Sequence, residues 1–290
     1  MAIPANSRSN YLFVLVFISL LCNNNAVAQT KHCNALTPTQ KQIQNEIFLK
    51  LHPYAGCDET FESCLAHQKP NRGVIRVADD LCRHIAAGKT QQEIKMAFNK
   101  RAQSVLPAIK PAVITLNENT LAGDKSAPVT VVVYACARCP FCKVVITSLY
   151  HKISNGVLFG KARLYFRPFP IKSHPGATEG GLAMVSAARL NRFWPFTIKL
   201  YDRYEQFCPA QLSSWASEEG LDKTIFEKYL ADPQTRQSLI TSKQEGLRNK
   251  VDATPTLFID NVKYVYELQH DAIVDVLLEV YEAKTEARRQ

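Results

Sequence analysis

The chain has 290 residues, with 35 Lys and Arg against 26 Asp and Glu for a net charge of +9 at pH 7, and nine cysteines. The basic residues are scattered among acids with no aromatic–basic motif, which describes a solvated surface and excludes a nucleic-acid partner. The longest apolar run, "YLFVLVFISLLC", has 12 residues against the about 20 needed to span a bilayer, which excludes a membrane-spanning helix.

That run belongs to a leader. Residues 1–28 hold Arg8 as their one charge, then the apolar core, then an Ala-Val-Ala ending. This is the pattern of a secretory signal peptide cleaved after Ala28. Lipid modification at Cys22 is disfavoured because Leu21 is too bulky before it. The sequence therefore predicts a soluble exported chain, periplasmic or secreted, in a compartment where thiols tend to pair.

Residues 29–110 read as a small all-α domain. Thr37 caps a first helix, with Pro38 at its first position and Gln40 closing a capping box; Pro53 stops it. A second helix, "GVIRVADDLCRHIAAGKT", sets Val74, Val77, Leu81 and Ile85 on one face and exits at Gly88. Thr90 caps a third, with Glu93 three residues on and Ile94, Phe98 and Ala102 as its stripe. Pro107 and Pro111 bracket a linker. From 111 to 290 the pattern changes. "VTVVVYA" at 129–135 is a β-branched run suited to a strand buried on both faces. "KARLYFRPF" is a second strand, and a helical stretch follows from about 176 to 246. "TPTLFIDNVKYVYE" forms a hairpin turning at Asp260-Asn261, and "HDAIVDVLLEVYEA" a final amphipathic helix. This order makes an α/β layer.

"ARCPFCK" places Cys139 and Cys142 where the first strand gives way to a helix. A Cys-x-x-Cys spacing alone also suits zinc, and a loop of four residues gains little from a structural staple. A helix start, however, offers unpaired amides and the positive end of the dipole, both of which favour a thiolate. Pro140 fits the first turn because it has no amide hydrogen to leave unpaired. Later in the chain, Thr254-Pro255 precedes the strand "TLFID".

Taken together, "SAPVTVVVYACARCPFCK", "LYFRPFPIKSHPGATEGGLAMVSAARLNRFWPF" and "LDKTIFEKYLADPQTRQSLITSKQEGLRNKVDATPTLFIDNVKY" resemble the DsbA-like thiol–disulfide oxidoreductases. The resemblance implies a thioredoxin fold with a helical insert over residues 111–290, preceded here by the small all-α domain. It further implies that Cys139 is the exposed nucleophile, Cys142 resolves the mixed disulfide, and Pro255 is a cis-proline packed against the pair. Pro140, Phe141 and the backbone of Thr254 would meet an extended client. Clients would be cysteine-containing exported proteins, with a membrane redox partner recycling the disulfide and neither metal nor organic cofactor required. Two departures predict a Cys139 less acidic than DsbA's about 3.5: Phe141 stands where a histidine precedes the second cysteine, and Val133 where many relatives carry an acid. The direction of exchange stays open between oxidative folding and reduction or isomerisation serving cytochrome c maturation. A non-catalytic peptide-binding module is the non-enzyme alternative. "LCRHIAAGKTQQEIKMAFNKRAQSV" more loosely resembles the helical domain of CcmH-like cytochrome c maturation proteins, without that family's Cys-x-x-Cys.

The other cysteines read differently. Cys57, Cys64 and Cys82 are structural disulfide candidates. The first two cannot bond within one straight helix, where seven residues rise about 10.5 Å and the Cα limit is about 7 Å. Either that segment bends or one of them reaches Cys82. His84 could complete a zinc site with them, but a satisfied histidine is the simpler reading. Cys136 extends the motif to "CARCPFC"; an iron–sulfur run would want a fourth cysteine where Ile146 stands. It could instead pair elsewhere, intercept Cys139, or simply fill a strand end. His174 borders the expected groove, and Tyr134, Trp194 and Phe196 read as core.

Overall fold

The computed structural model describes residues 30–287; the predicted signal peptide lies outside the described residues. Five helices come first: α1 (Lys31–Asn34), α2 (Pro38–Phe48), α3 (Phe61–Ala66), α4 (Arg72–Ala86) and α5 (Gln91–Val105). Capping boxes at Thr37–Gln40 and Thr90–Glu93 start α2 and α5, as their sequences predict. The short α1 and α3 have too few residues to show a period, and sequence reading passes over both. Apolar faces from these helices meet in a core of their own around Phe48, Phe61, Val77, Leu81, Ile94 and Phe98.

Two disulfides staple this core. Cys33 in α1 joins Cys82 in α4 with Cα atoms 4.9 Å apart, and Cys57 joins Cys64 at 6.1 Å. The bend anticipated for the second bridge is real: α3 begins only at Phe61, so Cys57 lies in the preceding loop. Cys82 takes Cys33, a partner the spacing could not single out. With all four thiols in disulfides, the alternative zinc set around His84 has lost its sulfur ligands; His84 Nε2 instead lies 2.6 Å from the Tyr266 hydroxyl.

The remainder runs β1 (Leu121–Ala122), β2 (Val129–Ala135), α6 (Pro140–Ser154), β3 (Ala162–Pro168), then the insert helices α7 (Ala177–Arg189), α8 (Phe193–Asp202), α9 (Leu212–Glu218), α10 (Lys223–Ala231) and α11 (Pro233–Arg248), then β4 (Thr256–Ile259), β5 (Val262–Lys263) and α12 (His270–Ala287). The sheet order is β1-β3-β2-β4-β5, with β2 parallel to β3 and antiparallel to β4. Asp260 and Asn261 turn the β4–β5 hairpin with positive φ of 48° and 68°, a conformation that Asp and Asn tolerate better than most residues. Val131, Val133, Leu257 and Ile259 face the helices α6 and α12, sharing a core with Ile146, Leu149, Ile273, Val276 and Leu277. The other face, Val132, Tyr134, Tyr165 and Phe258, packs on Phe169, Val251 and the linker residues Ala112 and Ile114. The linker thus serves as a strap: Thr115 N–H donates to Glu245 Oε2 at 2.9 Å, and Asn249 brackets Val113 from both sides.

α12 joins the two halves. Its inner face covers the sheet, and its outer face offers Asp275, Glu279 and Glu282 to α4 and α5. Arg101, fully buried, reaches Glu279 and Asp275 at 2.7 Å each and Asp80 at 3.2 Å. The Tyr54 hydroxyl donates to the second oxygen of Glu279. Arg76 adds ion pairs to Asp275 and Glu282 at 2.9 and 2.7 Å. Burial pushes the Glu279 carboxyl up while Arg101 opposes it, so the guanidinium is what keeps a buried acid tolerable. Arg101→Leu leaves the buried Glu279 carboxylate without its cation, which costs about 3–5 kcal/mol for a broken buried ion pair. Urea denaturation should show a lowered midpoint; an unchanged midpoint would mean that the acids find water instead.

Candidate active site

The site is built where β2 ends. Tyr134 pairs with Thr256 across the β2–β4 ladder, so the segment leaving β2 and the segment entering β4 emerge at the same end of the sheet. Residues 136–139 make a tight turn closed by Cys139 N–H donating to the Cys136 carbonyl at 3.2 Å. Cys139 is then the N-cap of α6 in extended conformation, with Pro140 in the first turn. One helical turn inward lies Cys142, fully buried.

From the opposite side comes the loop before β4, where the Thr254–Pro255 peptide is cis. The thiol of Cys139 donates to the Thr254 carbonyl oxygen at 3.2 Å. Both sulfurs of the Cys-x-x-Cys are unpaired here, so the site is drawn as the dithiol. Structure therefore places Cys139, Cys142, Thr254 and Pro255 together, with Pro140 and Phe141 at the surface; Phe141 is 70% exposed and Val144 beside it 62%.

One expectation needs correction. Cys139 is not an exposed residue: it shows 2% of its surface. As an N-cap its side chain turns toward the Thr254 loop rather than outward. An incoming sulfur must therefore approach along that loop, past the protruding Pro140 and Phe141.

The two thiols are driven apart in acidity. A hydrogen bond from Cys142 is the main cause that holds the Cys139 thiol down to about 5, helped by the Thr254 side chain and the amides of Cys142 and Phe141, against the opposing effect of burial. Burial first, then the neighbouring Cys139, pushes the Cys142 thiol up. A thiolate cannot donate, so on ionisation Cys139 gives up the Thr254 carbonyl and must accept instead. The Thr254 hydroxyl, buried with no other partner, is the donor at hand. The arrangement gives one ionised sulfur near the surface and one protonated sulfur behind it.

The helical insert grips this turn from the side. The Arg138 guanidinium lies 4.3 Å from the Tyr204 ring and 4.4 Å from the Phe207 ring. Its Nη1 donates to the Tyr204 carbonyl, and the Tyr204 hydroxyl returns a bond to the Arg138 carbonyl at 3.1 Å. Gly180 lets α7 approach the same turn, since a Cβ there would stand 2.6 Å from that of Ala137. Sequence reasoning missed Arg138, Tyr204 and Phe207, which are about 66 residues apart along the chain. An arginine inside the motif was the one available signal. His174, expected at the groove, stands with Nδ1 3.5 Å from Cys136 Sγ.

Comparison with known proteins agrees with this architecture. Residues 115–277, more than half of the chain, match the family model described as Thioredoxin. The oxidised crystal structure of BdbD from Bacillus subtilis covers 60% of this chain and is itself covered completely, at 19% identity and a TM-score of 0.50. Wolbachia pipientis alpha-DsbA1 covers 64%, with 98% of its own length matched, at 18% identity and a TM-score of 0.50. At such identities the likeness is one of fold. Among curated proteins, Na(+)/H(+) antiporter NhaA 3 of Salinispora tropica is 26% identical over 176 residues, 59% of this chain and 26% of that protein. NhaA 1 of Mycolicibacterium gilvum is 28% identical over 149 residues, 49% of this chain and 23% of that protein. The chain thus spans about a quarter of the length of the curated relatives it matches. With the strand–Cys-x-x-Cys–helix junction, the sheet order and the helical insert in place, the chain belongs to the thioredoxin family.

Proposed function

We propose that the protein is an exported thiol–disulfide oxidoreductase that exchanges the Cys139–Cys142 disulfide with cysteines of client polypeptides, in the direction of client oxidation. The observation that carries this reading is the junction itself: Cys139 at the head of α6, 3.2 Å from the Thr254 carbonyl beside the cis peptide, with Cys142 buried one turn behind. In the oxidised protein a client thiolate attacks Cys139 Sγ, and Cys142 leaves with the electron pair and takes a proton. A second client thiolate then attacks its own partner sulfur in the mixed disulfide, and Cys139 leaves as the stabilised thiolate. A low leaving-group pKa favours that release and makes the disulfide the stronger oxidant. About 5 stands above the about 3.5 of DsbA, in keeping with a Phe141 side chain that has no hydrogen bond to offer.

The client backbone would lie along Thr254, with Phe141 and Val144 as the apolar floor beside it. Export rests on the leader at 1–28, and a membrane partner would reoxidise the pair. Among the described residues no helix is long and apolar enough to cross a membrane. Residues 29–110 would form a separate helical domain from 111–290, docked through α12.

Oxidation of reduced ribonuclease and reduction of insulin test the activity. Wild type should drive both and Cys139→Ala neither; equal rates would leave a peptide-binding module. Equilibration with glutathione tests direction, since a potential well below that pool's would make the protein a reductant. Iodoacetamide labelling of the reduced protein across pH should rise with a midpoint near the Cys139 value of about 5, and a midpoint near the ordinary about 8.5 would remove the activated sulfur. The same depression has a sign for stability. It favours the folded dithiol most above the ordinary thiol range and is lost as pH falls through about 5. The reduced form should therefore gain on the oxidised form in denaturation experiments as pH rises across that window.

A further inference from the structure

Cys139 has a cysteine three residues to either side, Cys142 one turn into α6 and Cys136 at the start of the turn that leaves β2. The earlier one, Cys136, is fully buried and belongs to no disulfide. The hydrogen-bonded turn at 136–139 brings its Cα within about 7 Å of that of Cys139, the separation beyond which two cysteines cannot be joined. Its nearest exchange partners are the sulfurs of the motif itself. Its surroundings are polar. The Arg138 amide donates to Cys136 Sγ at 3.4 Å, and His174 Nδ1 stands 3.5 Å away. His174 is half-buried and lines a groove of about 450 Å³ together with Ile171, Gly176 and Lys243, open to solvent. A residue present only to fill a strand end has no use for an imidazole at its sulfur.

We propose that Cys136 is a second resolving thiol for the mixed disulfide on Cys139, with His174 as its base. The proposal rests on the exchange reading of Cys139 given above. In the step, the Cys136 thiol passes its proton to His174 Nδ1 and the resulting thiolate attacks Cys139 Sγ. The bond between Cys139 and the client sulfur breaks, the client leaves as a thiolate and takes a proton from the groove side, and a Cys136–Cys139 disulfide remains. Both side chains turn about χ1 to meet, Cys136 from His174 and Cys139 from the Thr254 carbonyl. Cys142 can then attack Cys139, expel Cys136 and restore the Cys139–Cys142 disulfide. The client leaves at the thiol level at which it entered and the protein keeps one disulfide throughout, so no outside oxidant enters. Burial holds the Cys136 thiol up, so at rest it stays protonated and does not compete with Cys139 for clients. A trapped client thereby gains a second exit.

The test uses the full chain with Cys208, the exposed free thiol among the described residues, and Cys22 both changed to Ser. Cys139 is loaded with thionitrobenzoate by Ellman's reagent in Cys142→Ser, in Cys142→Ser/Cys136→Ser and in Cys142→Ser/His174→Gln. The single variant should release thionitrobenzoate at a rate independent of protein concentration, and peptide mapping should find Cys136 joined to Cys139. Removing Cys136 should stop the release, and His174→Gln should slow it about 100-fold, the scale of a positioned base. Equal release with and without Cys136, or a stable adduct in Cys142→Ser, overturns the proposal. If Cys139 takes up no thionitrobenzoate at all, the exchange reading fails first and this one with it. Should Cys142→Ser fold poorly, disulfide mapping of the wild type under limiting reductant decides: a Cys136–Cys139 fraction supports the proposal, and its absence overturns it.

Discussion

The site depends on one pairing, that of β2 with β4. Residues 139 and 254 are 115 positions apart, and only the antiparallel register, with Tyr134 opposite Thr256, brings the loop leaving one strand against the loop entering the other. A slip by one residue would turn Val131 and Val133 from the helical core to the opposite face. The register is therefore protected by the whole hydrophobic core. Sulfur chemistry at the sheet's end inherits its geometry from β-branched side chains buried well away from it.

On that frame the insert and the turn hold each other. Arg138 is threaded between Tyr204 and Phe207, with backbone–side-chain bonds in both directions. A stacked guanidinium contributes about 0.5–2 kcal/mol per ring depending on desolvation, which adds to the hydrogen bonds holding the turn. Cys139 consequently meets Thr254 in one orientation, and the amides that stabilise its thiolate are already aimed. Preorganisation of this kind leaves the charged form little to rearrange beyond exchanging the Thr254 carbonyl for donors already beside it.

Much of this was legible in the sequence, and the reason is locality. A β-branched run, a Cys-Pro-x-Cys at its end and a Thr-Pro before another strand are each written within a few residues. So are the Thr37 and Thr90 capping boxes and the Asp260-Asn261 turn. The unread parts are those where distant residues meet. The partner of Cys82 was hidden because Cys33 sits in a helix of four residues, too short for periodicity to reveal. Arg101 reads as one more basic residue on an amphipathic helix until α12 supplies its acids. The depth of Cys139 was misread because position at a helix start says nothing of which way an N-cap side chain turns.

The buried charges between α5 and α12 show why the N-terminal helices are attached as they are. Apolar residues of similar volume could bury as stably, since removing charge from water costs about as much as the pairing returns. What the charges add is direction. Arg101 satisfies Asp80, Asp275 and Glu279 at once, whereas an oily contact would tolerate sliding by a turn. The outer face of α12 is thereby held in one register while its inner face, Ile273, Val276 and Leu277, seats against the strands that carry the site. The edge strand is included in the same lock, as Tyr266 just beyond β5 donates to Asp80 at 2.7 Å and the Val265 amide donates to Ser104 at 3.0 Å. The helical unit consequently occupies the open edge of the sheet, where an unpaired strand would otherwise invite a neighbour. The Thr254 loop, by contrast, stands apart from this lock, so the backbone that the proposed exchange would need is left uncovered by the helical unit.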